Sequence, residues 1–125
     1  MALLLDTHVL LWWLGDRVRL SQRARDAIGY PRSRIFVSVA SLWEIAIKVA
    51  AGKLVIPNDI EAVLDLNGFQ VLPIFAAHAL GVMTLSAVHK DPFDRLLVAQ
   101  ALHEGLTLVT HDPWVLNYPV ATIRA

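Results

Sequence analysis

A chain of 125 residues, 56% apolar and 18% charged, has the length of one domain and enough apolar side chains to bury a core, which excludes a disordered chain. The absence of cysteine excludes a disulfide framework, a thiolate metal site and a Cys nucleophile, and fits a reducing cytoplasm. Net charge is zero, so any nucleic-acid partner has to be held by a local basic patch.

Ala2 to Leu5 is a short apolar run closed by Asp6, as expected of a strand buried on both faces of a parallel sheet. Thr7 to Leu14 reads as a helix stopped by Gly15-Asp16. Ser21 caps a second helix that reaches about Tyr30, with Pro31 as the stop. Ile35-Phe36-Val37 is a second buried strand, and Ser38 or Ser41 starts a third helix that ends at Gly52. Asn58-Asp59 cap a fourth helix, Ile60 to Leu66. Phe69 to Leu72 is a third strand, followed by a helix from about Ala76 to Leu85. Asp91-Pro92 opens the next helix, with the acid at the N-cap and proline at the first position, and this helix reaches Glu104-Gly105. Leu106 to Val109 is a fourth strand, Asp112-Pro113 repeats the Asp-Pro helix start, and Ala121 to Ile123 forms an edge strand. Short apolar strands alternating with helices predict βαβ units, a mostly parallel sheet of four to five strands and an α/β sandwich over residues 1–125. The N-terminus lacks the basic stretch of a signal peptide. Residues 66 to 89 carry no charged side chain, but Gly68, Pro73 and Gly81 interrupt them, so no membrane span is expected.

The acids fall in a pattern. Asp6 directly follows the first strand, and Asp112 follows the fourth after Thr110-His111. Glu44 lies in an early turn of the helix after the second strand, and Asp91 and Asp94 begin the helix that precedes the fourth. All of these positions belong to the C-terminal edge of a parallel sheet, where open α/β sheets bind ligands. Each acid also has a structural reading. Asp6, Asp91 and Asp112 suit helix caps, and Ser41-Leu42-Trp43-Glu44 matches a capping box with Glu44 four residues before Lys48. Caps do not explain why separate helix starts at one edge all choose an acid. Clustered carboxylates repel, and a hard divalent ion such as Mg²⁺ or Mn²⁺ relieves the repulsion through oxygen ligands.

With Leu3-Leu4-Leu5-Asp6-Thr7-His8, Ser38-Val39-Ala40-Ser41-Leu42-Trp43-Glu44, Lys90-Asp91-Pro92-Phe93-Asp94-Arg95-Leu96-Leu97 and Leu108-Val109-Thr110-His111-Asp112, the chain resembles the PIN-domain ribonucleases, in particular VapC-like toxins of toxin–antitoxin pairs. The resemblance implies a three-layer α/β/α sandwich. It matches Asp6, Glu44, Asp94 and Asp112 to the catalytic, metal-binding acids. Asp91 is an extra acid, either cap or ligand, and Thr110 and Ser38 match hydroxyl positions that support the site. The implied activity is metal-dependent endonucleolytic hydrolysis of RNA, leaving 5′-phosphate and 3′-hydroxyl ends. The implied partners are an antitoxin that covers the acids and a second copy of the chain.

Two other classes stay open: a structure-specific DNA nuclease, and a non-catalytic metal-binding or interaction module. An aspartyl phosphatase does not fit, because Thr7-His8 follow Asp6 where a second aspartate is needed. Arg95, beside Asp94, either holds a phosphate or pairs with an acid. Six of the 11 basic residues, Arg17, Arg19, Arg23, Arg25, Arg32 and Arg34, crowd together as a solvated face or a phosphate-contacting rim. His8 and His111 are expected to alternate away from the acids, and His78, His89 and His103 belong to no constellation. Trp12, Trp13, Trp43 and Trp114 are read as core. The helices carrying Trp12-Trp13 and Trp43 are nevertheless so apolar that an exposed groove for a partner segment is expected.

Overall fold

Alternation along the first strand divides the core. In β1 (Ala2–Leu5), Leu3 and Leu5 belong to one apolar cluster and Leu4 to the other, and all are fully buried. Such a strand lies at the centre of a sheet covered on both faces. The computed structural model, which describes residues 1–86 and 90–125, places β1 there. Its neighbours are β2 (Arg34–Ser38) and β4 (Thr107–Thr110), with β3 (Gln70–Leu72) and β5 (Thr122–Arg124) at the edges. The order is β3-β2-β1-β4-β5 and every pairing is parallel.

The helices are α1 (Thr7–Gly15), α2 (Gln22–Gly29), α3 (Val39–Ala50), α4 (Ile60–Leu66), α5 (Ala76–Gly81) and α6 (Pro92–Glu104). Val9 and Leu10 of α1, Ala24 and Ile28 of α2 and Leu64 of α4 bury themselves on the Leu3/Leu5 face. Leu97, Val98 and Ala101 of α6 pack on the Leu4 face. The result is the three-layer α/β/α sandwich, with all five strands parallel.

Several side chains fix how the helices meet the sheet. Thr7 Oγ1 donates to Ser41 Oγ at 3.0 Å, joining the start of α1 to α3. The Trp13 indole donates to Asn67 Oδ1 at 3.1 Å, joining α1 to the end of α4. Of the alternatives Ser38 and Ser41, Ser38 caps α3: its hydroxyl accepts from Ala40 N at 3.0 Å. The capping box expected at Ser41 and Glu44 does not form, because Ser41 lies inside the helix and is used by Thr7. The helix expected from Ala76 to Leu85 is α5 plus a single 3₁₀ turn, Val82–Thr84. The Asp112-Pro113 start yields only a turn and the 3₁₀ segment Val115–Asn117, since Pro119 soon ends it. No helix among the described residues is long and apolar enough to cross a membrane.

Helix α6 ends at Gly105, whose φ of 67° is left-handed. A Cβ there would touch nothing, so the cost of a side chain is backbone strain alone. We expect Gly105→Ala to lower stability by about 1 kcal/mol and Gly105→Asn by less, read as denaturant midpoints.

Candidate active site

The strand order places a crevice at the edge of the sheet. From β1 the chain moves outward through β2 and β3, then returns to the other side of β1 with β4. The order therefore reverses between β1 and β4, and ligands of open α/β sheets bind outside the C-terminal ends of strands at such a switch point. Asp6 leaves β1 and Asp112 follows β4, so the two acids flank it.

Asp6 is 3% exposed, and both of its carboxylate oxygens are hydrogen-bonded. Its Oδ1 accepts from Val9 N at 2.8 Å, capping α1, and its Oδ2 accepts from Thr110 Oγ1 at 2.7 Å and from His111 N at 3.3 Å. The Thr110 hydroxyl also accepts from Asp112 N at 3.0 Å, so one buried hydroxyl links the first acid to the backbone of the last. Asp112 Oδ1 in turn accepts from Trp114 N at 2.9 Å. Asp91 Oδ1 caps α6, accepting from Phe93 N at 2.9 Å and Asp94 N at 3.3 Å. Glu44, on α3, has a side chain only 13% exposed and meets Lys48 Nζ at 3.4 Å.

These acids converge. Asp6, His8, Glu44, Asp91, Asp94, His111 and Asp112 line one pocket of about 140 Å³. Apart from the two imidazoles, every donor is a carboxylate oxygen. That donor set and the room for a hydrated ion fit a hard divalent cation of the Mg²⁺ or Mn²⁺ type.

Several sequence expectations need correction. His8 and His111 do not turn away from the acids. Asp6 and Thr7 leave the strand to start α1, so His8 sits in the first helical turn on the pocket side, and His111 lies beyond the last residue of β4. His111 Nδ1 is buried 3.7 Å from Asp6 Oδ2, with no hydrogen-bond partner among the described residues. The Asp6 carboxylate pushes the His111 imidazole above its ordinary pKa. Burial, and then His111 itself, push His8 below its own.

Arg95 does not face the pocket. Its guanidinium donates to the carbonyls of Ser86 at 2.7 Å and Val82 at 3.2 Å and reaches the Tyr118 hydroxyl at 3.4 Å, strapping the segment before α6. Ser38 supports the first turn of α3 rather than a carboxylate.

The six arginines do not form one rim. Arg34 pairs with Ala2 at the opposite edge of the sheet. Arg17 stacks 3.8 Å from the Trp13 ring, and Arg25 donates to Gln22.

His78 does belong to a constellation, with Glu104 and His103. Buried His78 accepts from Phe75 N through Nδ1 at 3.0 Å, which leaves the proton on Nε2, and Nε2 donates to Glu104 Oε2 at 2.8 Å. A metal would need the nitrogen that carries this proton, so the cluster is a clasp between α5 and α6. His89 lies outside the described residues. Trp43 and Trp114 are exposed rather than core, and Trp12 and Trp13 are half-buried.

The sequence matches the PIN domain family over residues 3–116. The chain belongs to the PIN-domain family. It is 30% identical over 116 residues to the ribonuclease VapC22 of Mycobacterium tuberculosis, covering 89% of this chain and 87% of that protein. Its fold matches VapBC2 of Rickettsia felis, solved bound to a promoter DNA fragment, with a TM-score of 0.78 at 16% identity over 100% of this chain and 99% of that one. DNA-bound VapBC of Salmonella typhimurium matches with a TM-score of 0.74 at 19% identity, over 99% and 98% of the two chains. In this PIN domain the acids of the sequence pattern share one pocket, with Thr110 as the internal link.

Removing that link has a measurable cost. Thr110→Val leaves Asp6 Oδ2 and Asp112 N each short of a partner, and we expect a loss of about 1–3 kcal/mol in chemical denaturation. Thr110→Ser, which keeps the hydroxyl, should lose much less.

Proposed function

We propose that this chain is a metal-dependent endoribonuclease that acts as the toxin of a toxin–antitoxin pair. The observation that carries the reading is the convergence of Asp6, Glu44, Asp91, Asp94 and Asp112 in one pocket at the switch point of the sheet. The kinship with ribonuclease VapC22 supports RNA as the substrate.

In this reading Asp6 and Asp94 would hold Mg²⁺ or Mn²⁺ directly. Glu44 and Asp112 would hold it directly or through water, and either would orient the attacking water. Asp91 holds the start of α6, and with it Asp94, through its cap. When bound, the ion supplies Lewis-acid activation of the water and stabilises charge on the phosphate. Thr110 holds Asp6 in place, and the buried position of Asp6 keeps its orientation fixed. The water adds to phosphorus, the bond to the 3′ oxygen breaks, and the products carry a 5′-phosphate and a 3′-hydroxyl.

An exposed apolar stripe supports the antitoxin partner. Val39, Trp43 and Ile47, spaced four residues apart on α3, are 38%, 58% and 46% exposed. Trp43 immediately precedes Glu44, so a segment laid along the stripe reaches the edge of the pocket.

The decisive measurement is cleavage of a pool of cellular RNAs with Mg²⁺, with Mn²⁺ and with EDTA. We expect cuts with either metal, none in EDTA, and loss of all cuts in Asp94→Asn. Saturating Mn²⁺ at about 100 times its Kd should stabilise the wild type by about 2.7 kcal/mol, and this increment should vanish in Asp94→Asn. A folded wild type that cuts no RNA with either metal would sink the proposal.

A further inference from the structure

One wall of the acidic pocket leads outward into rings. His8 and His111 line the pocket with their centroids 4.6 Å apart. The Trp12 ring meets His111 edge-on at 4.9 Å and lies 6.1 Å from His8, one turn earlier on α1. Beyond it, the Arg19 guanidinium carbon stands 5.9 Å from the centre of the Trp12 ring. Moving away from the carboxylates, the surface thus presents two imidazoles, an indole and a guanidinium.

The neighbouring tryptophan shows what a purely structural indole does here. Trp13 donates to Asn67, packs on Phe69 and carries Arg17 at 3.8 Å over its ring. Trp12 instead turns its ring toward His8, His111 and Arg19. Arg19 is exposed, and its ion pair with Asp16 at 3.2 Å is exposed as well. Such a pair is weak and yields readily to another anion.

We propose that Trp12 and Arg19 form the seat for a nucleotide flanking the scissile phosphate, the base stacking on the indole and the guanidinium holding the next phosphate. The inference rests on the ribonuclease reading and adds a positioning site to it. Aromatic planes beside a cation suit single-stranded nucleic acid because every base has a π-face, and stacking of this kind tolerates sequence. The carboxylates alone repel the RNA backbone, so a strand needs an anchor outside them. Among the six clustered arginines, Arg19 is the one placed beside the pocket's aromatic wall, through Trp12.

The test uses the intact protein with Mn²⁺. The best-cut site from a pool of single-stranded RNA is placed in a short oligonucleotide, and abasic versions carry a missing base on either side of the cut. Trp12→Leu should raise KM for the intact oligonucleotide by roughly ten- to a hundredfold with little change in kcat, the scale of one stacked base. Trp12→Phe should recover most of the loss, and Arg19→Gln should raise KM several-fold. An abasic nucleotide should raise KM for the wild type and add nothing in Trp12→Leu. If Trp12→Leu melts below the assay temperature, the exposed Arg19→Gln decides alone: an unchanged KM there overturns the proposal. Unchanged KM in a folded Trp12→Leu, or an abasic penalty as large as in the wild type, also overturns it, including where binding of a protein partner is all that suffers. A wild type that cuts no RNA brings down the ribonuclease reading and this inference together, whereas active but insensitive variants bring down this inference alone.

Discussion

One buried carboxylate couples the site to the fold. Asp6 is 3% exposed, and a charge so far from water persists only when its oxygens are satisfied. Its partners come from two places: Val9 N in its own helix, and Thr110 Oγ1 and His111 N at and just after the end of the neighbouring strand β4. The same three hydrogen bonds that stabilise the charge therefore lock α1 and the end of β4 onto the end of β1. The backbone repeats the connection, since Asp6 N donates to Val109 O at 3.0 Å. With Thr7 bonded to Ser41, the lock extends to α3 and sets where Glu44 stands.

This arrangement removes the apparent conflict between capping and chemistry. A helix cap needs one carboxylate oxygen. Asp6 uses Oδ1 for Val9 and Asp91 uses Oδ1 for Phe93 and Asp94, while Asp112 uses Oδ1 for Trp114 in the turn before the 3₁₀ segment. The second oxygen of Asp6 is not required by its cap and accepts instead from Thr110 and His111. The helix starts at Thr7 and Pro92 also bring partial positive charge toward the pocket, which offsets part of the repulsion among the acids. Lys48 beside Glu44 and the raised pKa of His111 act in the same direction. The fold can thus hold a cluster of acids that pure Coulomb repulsion would spread apart.

The layout of the sheet and its acids was legible because each signal is local. Leu3-Leu4-Leu5-Asp6 is a buried strand and its closing acid, and Asp91-Pro92 is a helix start wherever it occurs. Matching those local signs to strand ends was enough to place Asp6, Glu44, Asp94 and Asp112 at one edge. What escaped depends on where side chains point after a strand ends. The expectation for His8 and His111 assumed extended backbone, but the chain turns into α1 immediately after Asp6 and bends after Thr110. Arg95 departs from expectation for a different reason: it donates to the carbonyls of Val82 and Ser86, which sequence does not advertise. The Ser38 and Ser41 hydroxyls look interchangeable in sequence, and only the position of Thr7 assigns one to the cap and the other to the helix clasp.

Helix α3 shows how one element can serve two surfaces. Ile45 is buried in the core, Glu44 faces the acidic pocket, and Val39, Trp43 and Ile47 form an exposed apolar stripe. The Trp43 ring meets Phe93 edge-on at 5.2 Å, and Phe93 directly precedes Asp94 in α6. The stripe on α3 therefore adjoins, through two rings, the helix start that carries Asp94, while the residue after Trp43 on α3 is the Glu44 of the pocket.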